Sequence, residues 1–239
     1  MYFGTVFLIL IFLIFEVMRA TGISLSAVIP HNTANPTGTY PMPKGTPLFA
    51  DSFVNDTSGW NLQSASGSYS VAVGNGTLTL ASDENKLLWE LVPGARSFSN
   101  FSLVVNAVLS RGDQNNGYGI YIRGSSNRDS DLATYYRFEL YGDGSYAIFK
   151  GTLDSRGKST DTKIVNYTLS SAIQKQGKVN HIMFTAKGPT MSLIVNGQVL
   201  KTFSDPSYTS GSIALFVSNL AEAKPGAQVQ FSQLAIYPT

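Results

Sequence analysis

Cysteine is absent from this 239-residue chain, so neither a disulfide nor a thiolate metal site can hold it together. The same absence rules out anchoring through an acylated cysteine. Histidine is almost as scarce. His31 and His181 are the whole supply, and His31 falls in a proline-rich stretch, which argues against a two-histidine metal site or a Ser-His-Asp triad. Charge is thin as well. Only 13% of residues are charged, the net charge is +2 and no basic cluster occurs. Nucleic-acid binding through phosphate neutralisation is therefore not expected.

What the chain has instead is Gly, Ser, Thr, Asn and Tyr, a mixture that favours strands and tight turns over surface helices. Three regions follow from its distribution. Residues 1–28 open with the apolar run Tyr2–Phe15, short for a bilayer span but suited to a signal-peptide core. Arg19 follows that run, and the n-region has no Lys or Arg. The segment reads as a signal peptide or a membrane anchor, which implies an exported protein, secreted or tethered. Residues 29–47 hold Pro30, Pro36, Pro41, Pro43 and Pro47, half the prolines of the chain, and read as a semi-extended linker. Residues 48–239 form one domain, large enough to be stabilised by its core alone.

In that domain short alternating segments recur between turn signals: Tyr69–Val73, Thr77–Ala81, Lys86–Val92, Phe101–Leu109, Tyr118–Arg123, Thr134–Tyr141, Ser145–Lys150 and Ile164–Thr168. A meander over Asn180–Gly211 and two further strands, Ser212–Ser218 and Gln228–Tyr237, complete the series. Asn75-Gly76, Asp143-Gly144 and Asn196-Gly197 supply the positive-φ residues that tight hairpins need. More than ten strands with such turns predict an all-β, two-sheet antiparallel sandwich. A short helix over Thr168–Gln176, capped by Ser170 or Ser171, is the one helical expectation. Alternation points Phe101, Leu103, Val105, Ala107 and Leu109 inward, with Tyr136, Phe138 and Leu140 on the later strand. The last strand changes parity between Phe231 and Leu234, which predicts a bulge near Ser232-Gln233.

Leu48–Phe53 with Gly59-Trp60, the strand Asn116–Arg123, the central Glu of Tyr136–Leu140, the Asn196-Gly197 hairpin and the closing strand Phe231–Tyr237 occur in this order along nearly the whole domain. Together they resemble the concanavalin A-like lectin/glucanase superfamily, including laminin G-like modules, family-16-type glucanases and 3-keto-disaccharide hydrolase domains. The resemblance implies a jelly-roll sandwich whose usual partner is a glycan or polysaccharide, held on the outer face of one sheet. On that face the parity of two neighbouring strands places Tyr121, Arg123, Tyr135, Arg137, Glu139 and Tyr141. Tyrosine rings stack on sugar C–H surfaces, and Arg and Glu hydrogen-bond to hydroxyls. A cross-strand Arg–Glu pair flanked by tyrosines is equally an ordinary sheet decoration.

Catalytic residues are fewer. A retaining glucanase needs two carboxylates roughly 5–5.5 Å apart, and no strand here carries an acidic pair with that spacing. Glu139 is the weak candidate, needing a partner from another strand. Calcium is common in the resembling fold, and Asp51, Asp129 and Asp131 are its weak candidate ligands; no other cofactor is expected. Arg111-Gly112-Asp113 spells an adhesion tripeptide that a glycine turn explains equally well. The function expected is thus an exported, non-catalytic carbohydrate-binding module. A glycoside or 3-keto-disaccharide hydrolase and a structural or adhesion domain contacting protein are the alternatives. Membrane contact is expected only through the N-terminal segment.

Overall fold

Two Asn-Gly pairs set the hairpins from which the sheets grow. Asn75 and Gly76 have φ of 53° and 80°, and Asn196 and Gly197 have 50° and 83°. Each pair closes a two-residue loop whose twist matches that of the flanking strands. The computed structural model describes residues 42–126, 132–219 and 223–239. Residues 1–28, most of the proline-rich stretch, Asp129 and Asp131 lie outside them.

Among the described residues there are fifteen strands and no helix: β1 (Phe49–Asp51), β2 (Gln63–Ala65), β3 (Tyr69–Gly74), β4 (Thr77–Ser82), β5 (Leu87–Leu91), β6 (Phe101–Arg111), β7 (Gly117–Ser126), β8 (Leu132–Tyr141), β9 (Ser145–Leu153), β10 (Ser159–Leu169), β11 (Asn180–Lys187), β12 (Thr190–Val195), β13 (Gln198–Ser204), β14 (Ser212–Ser218) and β15 (Ala227–Pro238). They form two antiparallel sheets. One has nine strands in the order β13-β12-β11-β6-β15-β4-β3-β2, with β1 also paired to β15; the other runs β10-β9-β8-β7-β14-β5. Between the sheets lies one apolar core, filled by the residues that alternation points inward, from Leu103 and Val105 to Phe138, Phe184, Leu193 and Leu215. Trp60 joins it, its indole N–H donating to Asp51 Oδ2 at 2.8 Å.

The predicted bulge is present. Gln233 has φ 54°, and the β15–β6 register shifts between Ser232 and Ala235. The extra residue turns Leu234 and Ile236 back into the core and divides β15 into two halves. The first, Ala227–Phe231, pairs with β4, and the second, Leu234–Ile236, pairs with β1.

Two expectations are corrected. The segment Thr168–Gln176 is not a helix. Ser170 Oγ does accept from the Ala172 amide at 3.2 Å, but only one turn follows. The next amides are drawn elsewhere, Gln176 N–H to Gly142 O at 3.0 Å and Gly177 N–H to Leu109 O at 2.9 Å, so no helical ladder propagates. Arg123, expected beside Tyr121 on the outer face, turns away from it. Its φ is 50°, and the β7–β8 register shifts between Ile122 and Ser125. The side chain is only 1% exposed, and its guanidinium donates to the carbonyls of Tyr208 (2.8 Å), Ser99 (3.0 Å) and Gly188 (2.6 Å). Gly211 makes this possible, because a Cβ there would stand 2.5 Å from the Arg123 carbonyl carbon. Arg123 thus ties three loops together and has no place in a ligand site.

Each of those bonds is charge-assisted, so Arg123→Ala should lower unfolding stability by about 3 kcal/mol. Arg123→Lys should rescue little of it, since one ammonium cannot span three carbonyls. Urea denaturation of the variants checks both.

Candidate functional site

The outer face of the six-stranded sheet is built around one pair of neighbouring strands. Gly119 of β7 lies opposite Glu139 of β8, and Tyr121 lies opposite Arg137. Glycine at 117 leaves the carboxyl of Glu139 room to lie over β7, since a Cβ there would fall 2.0 Å from its Oε1. Tyr121, Tyr135, Arg137, Glu139 and Tyr141 share this face, as alternation along β8 requires, and all are buried.

They divide into two groups. Tyr121 and Tyr135 pack edge-on, 4.6 Å between ring centroids, in an apolar cluster with Leu132, Ala214 and Phe216. Trp89 of the edge strand β5 leans on that cluster. Their part is to wall in Arg137. Arg137, Glu139 and Tyr141, by contrast, line an open pocket of about 570 Å³. The remaining walls come from Gln114 and Asn115 before β7, Asp143 in the β8–β9 turn, Ser145 and Phe149 of β9, Lys163 and Tyr167 of β10, Ser218 at the end of β14, and Ala223.

Arg137 is the centre of this arrangement. Its guanidinium carbon stands 4.1 Å from the centroid of Phe149 and 5.9 Å from that of Tyr121. One terminal nitrogen is 2.9 Å from Asp161 Oδ2, and Nε is 3.3 Å from Glu139 Oε2. Two carboxylates on two strands therefore flank a single cation. Burial disfavours the charged guanidinium, but Glu139, Tyr121 and Asp161 more than offset it, so Arg137 remains a cation. For Glu139, burial pushes the carboxyl above its ordinary range, and Arg137 with hydrogen bonds from Ser218 and Tyr141 offsets only part of the effect. Burial likewise raises the Tyr141 hydroxyl, helped by the charge of Glu139 and a hydrogen bond with Tyr167.

Tyr167 brings the only well-exposed ring to the pocket among the described residues, 5.1 Å from the Tyr141 ring, with Lys163 Nζ 4.4 Å above its own. Alternation along β9 sets Phe149 on this face with Ser145 and Ala147, so Phe149 was within reach of the sequence. Lys163, Asp161 and Tyr167 were not. Asp161 and Lys163 fall in the polar first half of β10, which gives no alternating signal, and the register shifts on either side of Val165 break the period that would have placed Tyr167. Of the calcium candidates, only Asp51 lies among the described residues. Its two oxygens accept from the Phe53 amide and the Trp60 indole, and no cluster of three metal-binding side chains occurs among the described residues. The Arg111-Gly112-Asp113 tripeptide is likewise occupied. Arg111 pairs with Asp83 at 3.0 Å and the Gly112 carbonyl accepts from Gln176.

The profile of one protein family, described as 3-keto-alpha-glucoside-1,2-lyase-like domain, matches residues 45–236. Solved structures of similar fold include a carbohydrate-binding module of Bacillus subtilis, 15% identical, with a TM-score of 0.54 over 76% of this chain and 97% of that one. The kappa-carrageenase of Pseudoalteromonas carrageenovora, solved with an oligotetrasaccharide of kappa-carrageenan, is 10% identical, with a TM-score of 0.57 over 79% of this chain and 92% of that one. A galectin-like protein of unknown function from Bacillus subtilis is 9% identical, with a TM-score of 0.58 over 82% and 97%. At these identities the likeness establishes the fold alone. No curated protein matches the chain.

Because the native Glu139 carboxyl holds its proton more tightly than an ordinary Glu near pH 4.3, the folded state binds more protons than the unfolded one just above that value. Stability should therefore fall as pH rises from about 4.3 through the native Glu139 value. Glu139→Gln should flatten that decline, read from chemical denaturation at stepped pH.

Proposed function

Since this chain belongs to the family of 3-keto-alpha-glucoside-1,2-lyase-like domains, we propose that the pocket over β8, β9 and β10 is a carbohydrate site and that the protein acts as a glycan-binding module. The observation that carries this reading is the composition of the pocket wall. An exposed tyrosine ring, Tyr167, stands beside Tyr141 and above a floor of fixed polar groups from Arg137, Glu139, Asp143, Ser145 and Ser218. A pyranose presents both matching surfaces, an apolar C–H face for the ring and a rim of hydroxyls for the charged and hydroxyl side chains. The volume suits a short stretch of sugar rather than a long chain. The apolar N-terminal segment accords with export, where such ligands are found.

One observation favours a second reading, in which the site performs chemistry. Glu139 is a buried carboxyl of raised proton affinity beside a fixed cation, the combination expected of a general base working near neutrality. A 1,2-elimination on a 3-keto-glucoside needs only one such group. The C2 proton passes to the Glu139 carboxylate, the electron pair is delocalised onto the C3 oxygen beside Arg137, and the C1–O bond then breaks. The departing oxygen takes that proton back from Glu139, which is left ionised again, and a C1–C2 double bond remains. The paired carboxylates of a retaining glycosidase are not required.

Titration calorimetry of the full chain against neutral and acidic oligosaccharides tests the first reading. Saturable binding is expected, and Tyr167→Ala should weaken it by about tenfold; no binding across the panel would overturn it. Elimination is tested separately with a 3-keto-glucoside. Turnover that Glu139→Gln abolishes, with affinity retained, would identify an enzyme, and no turnover by the unaltered chain would leave a binding module.

A further inference from the structure

Around Arg137 one positive charge meets two carboxylates, and the geometry of the two approaches differs. Asp161, on the edge strand β10, is well placed to pair with that charge. Its side chain is 31% exposed and therefore partly hydrated. Both of its oxygens are engaged by donors, Oδ2 by the Arg137 terminal nitrogen at 2.9 Å and Oδ1 by the Tyr135 hydroxyl at 2.7 Å. Glu139 is placed badly for the same role. Its side chain is 3% exposed, and its nearest approach to the guanidinium is 3.3 Å at Nε, an atom that makes no hydrogen bond at all.

The path to Asp161 is built rather than incidental. Tyr135 must cross β9 to reach β10, and it does so over Gly151, which lies opposite both Tyr135 and Asp161 in the ladder. A Cβ on Gly151 would stand 2.5 Å from the Tyr135 ring, so any other residue would close the crossing.

We infer that Asp161 is the carboxylate that neutralises Arg137, and that by doing so it leaves Glu139 as the proton-carrying carboxyl of the pocket. Asp161 is a positioning residue, acting on the pocket through the guanidinium without lining it. A guanidinium already paired with a hydrated carboxylate has less attraction left for a second one, and a buried carboxylate whose remaining partners are the Ser218 and Tyr141 side chains is costly enough to take up a proton instead. Among the described residues, the other charged or titratable groups near Glu139 are Tyr121 of β7, Tyr141 of β8, Lys163 and Tyr167 of β10, and Asp143 in the β8–β9 turn. Lys163 is directed over the Tyr167 ring, which leaves Arg137 as the cation in contact with Glu139. Protonated, Glu139 can donate a hydrogen bond to a sugar oxygen; deprotonated, it can only accept. This deepens the carbohydrate reading and rests on it for the ligand, while the proton's location does not.

The test is a carbon-13 NMR pH titration of glutamate carboxyls in the full chain, with the Glu139 signal identified by its loss in Glu139→Gln. Glu139 should titrate above the ordinary value of about 4.3. In Asp161→Asn, where the guanidinium charge falls to Glu139 alone, its midpoint should drop by about one pH unit or more. Tyr135→Phe keeps the charge of Asp161 and removes only its tether, so it should move the midpoint much less. An ordinary Glu139 midpoint in the unaltered chain would overturn the inference. So would an unchanged midpoint in Asp161→Asn, or equal shifts in the two variants. No sugar enters this measurement, so a failed binding panel and a failed titration are separate results.

Discussion

A guanidinium buried on the face of a sheet has to be answered by the residues around it, and the pocket wall is largely that answer. Arg137 is 5% exposed, far from the hydration a cation prefers. Two aromatic faces, one tyrosine hydroxyl and two carboxyl groups surround it from four strands. Each of these groups is fixed in turn by a neighbour: Tyr121 by Tyr135 and Phe216, Asp161 by Tyr135, Glu139 by Ser218 and Tyr141. The side chains available to a ligand are thus held before any ligand arrives. Preorganisation of this kind reduces the ordering cost of binding.

Two arginines, one on each of two adjacent strands, show how far alternation carries and where it stops. Arg137 lies on the face that parity assigns it because β8 keeps its register with β7 and β9 through that point. Arg123 does not, because positive φ and a register shift turn it inward. The core, the bulge at Ser232-Gln233 and the outward run of β8 were legible because each depends on a period of two held over several residues. Strand β10 was legible only in its second half, since Ser159–Lys163 is polar throughout and gives no alternating signal. Asp161 and Lys163 lie in its polar half, and Tyr167 lies beyond the first register shift. The part of the pocket hidden from the sequence is therefore the part contributed by an irregular edge.

The expected helix failed for a related reason. Its capping serine is real, but a cap states only that a chain may turn, and competing acceptors on Leu109 and Gly142 decided where the amides went. Local signals of this strength yield when a neighbouring strand offers carbonyls at the right height.

Strand β15 lies at the middle of the nine-stranded sheet, with β6 on one side and β4 and β1 on the other, yet it follows the other fourteen strands in the chain. Fourteen strands can leave the ribosome before the one that joins the halves of their sheet exists. Until then β6 and β4 present facing, unpaired edges, and β1 has no partner to zip onto. Closure of the sandwich is therefore a late, long-range event of the kind that makes β-rich chains slow to fold. In that interval the open edges are exposed to strands of other molecules as much as to their own.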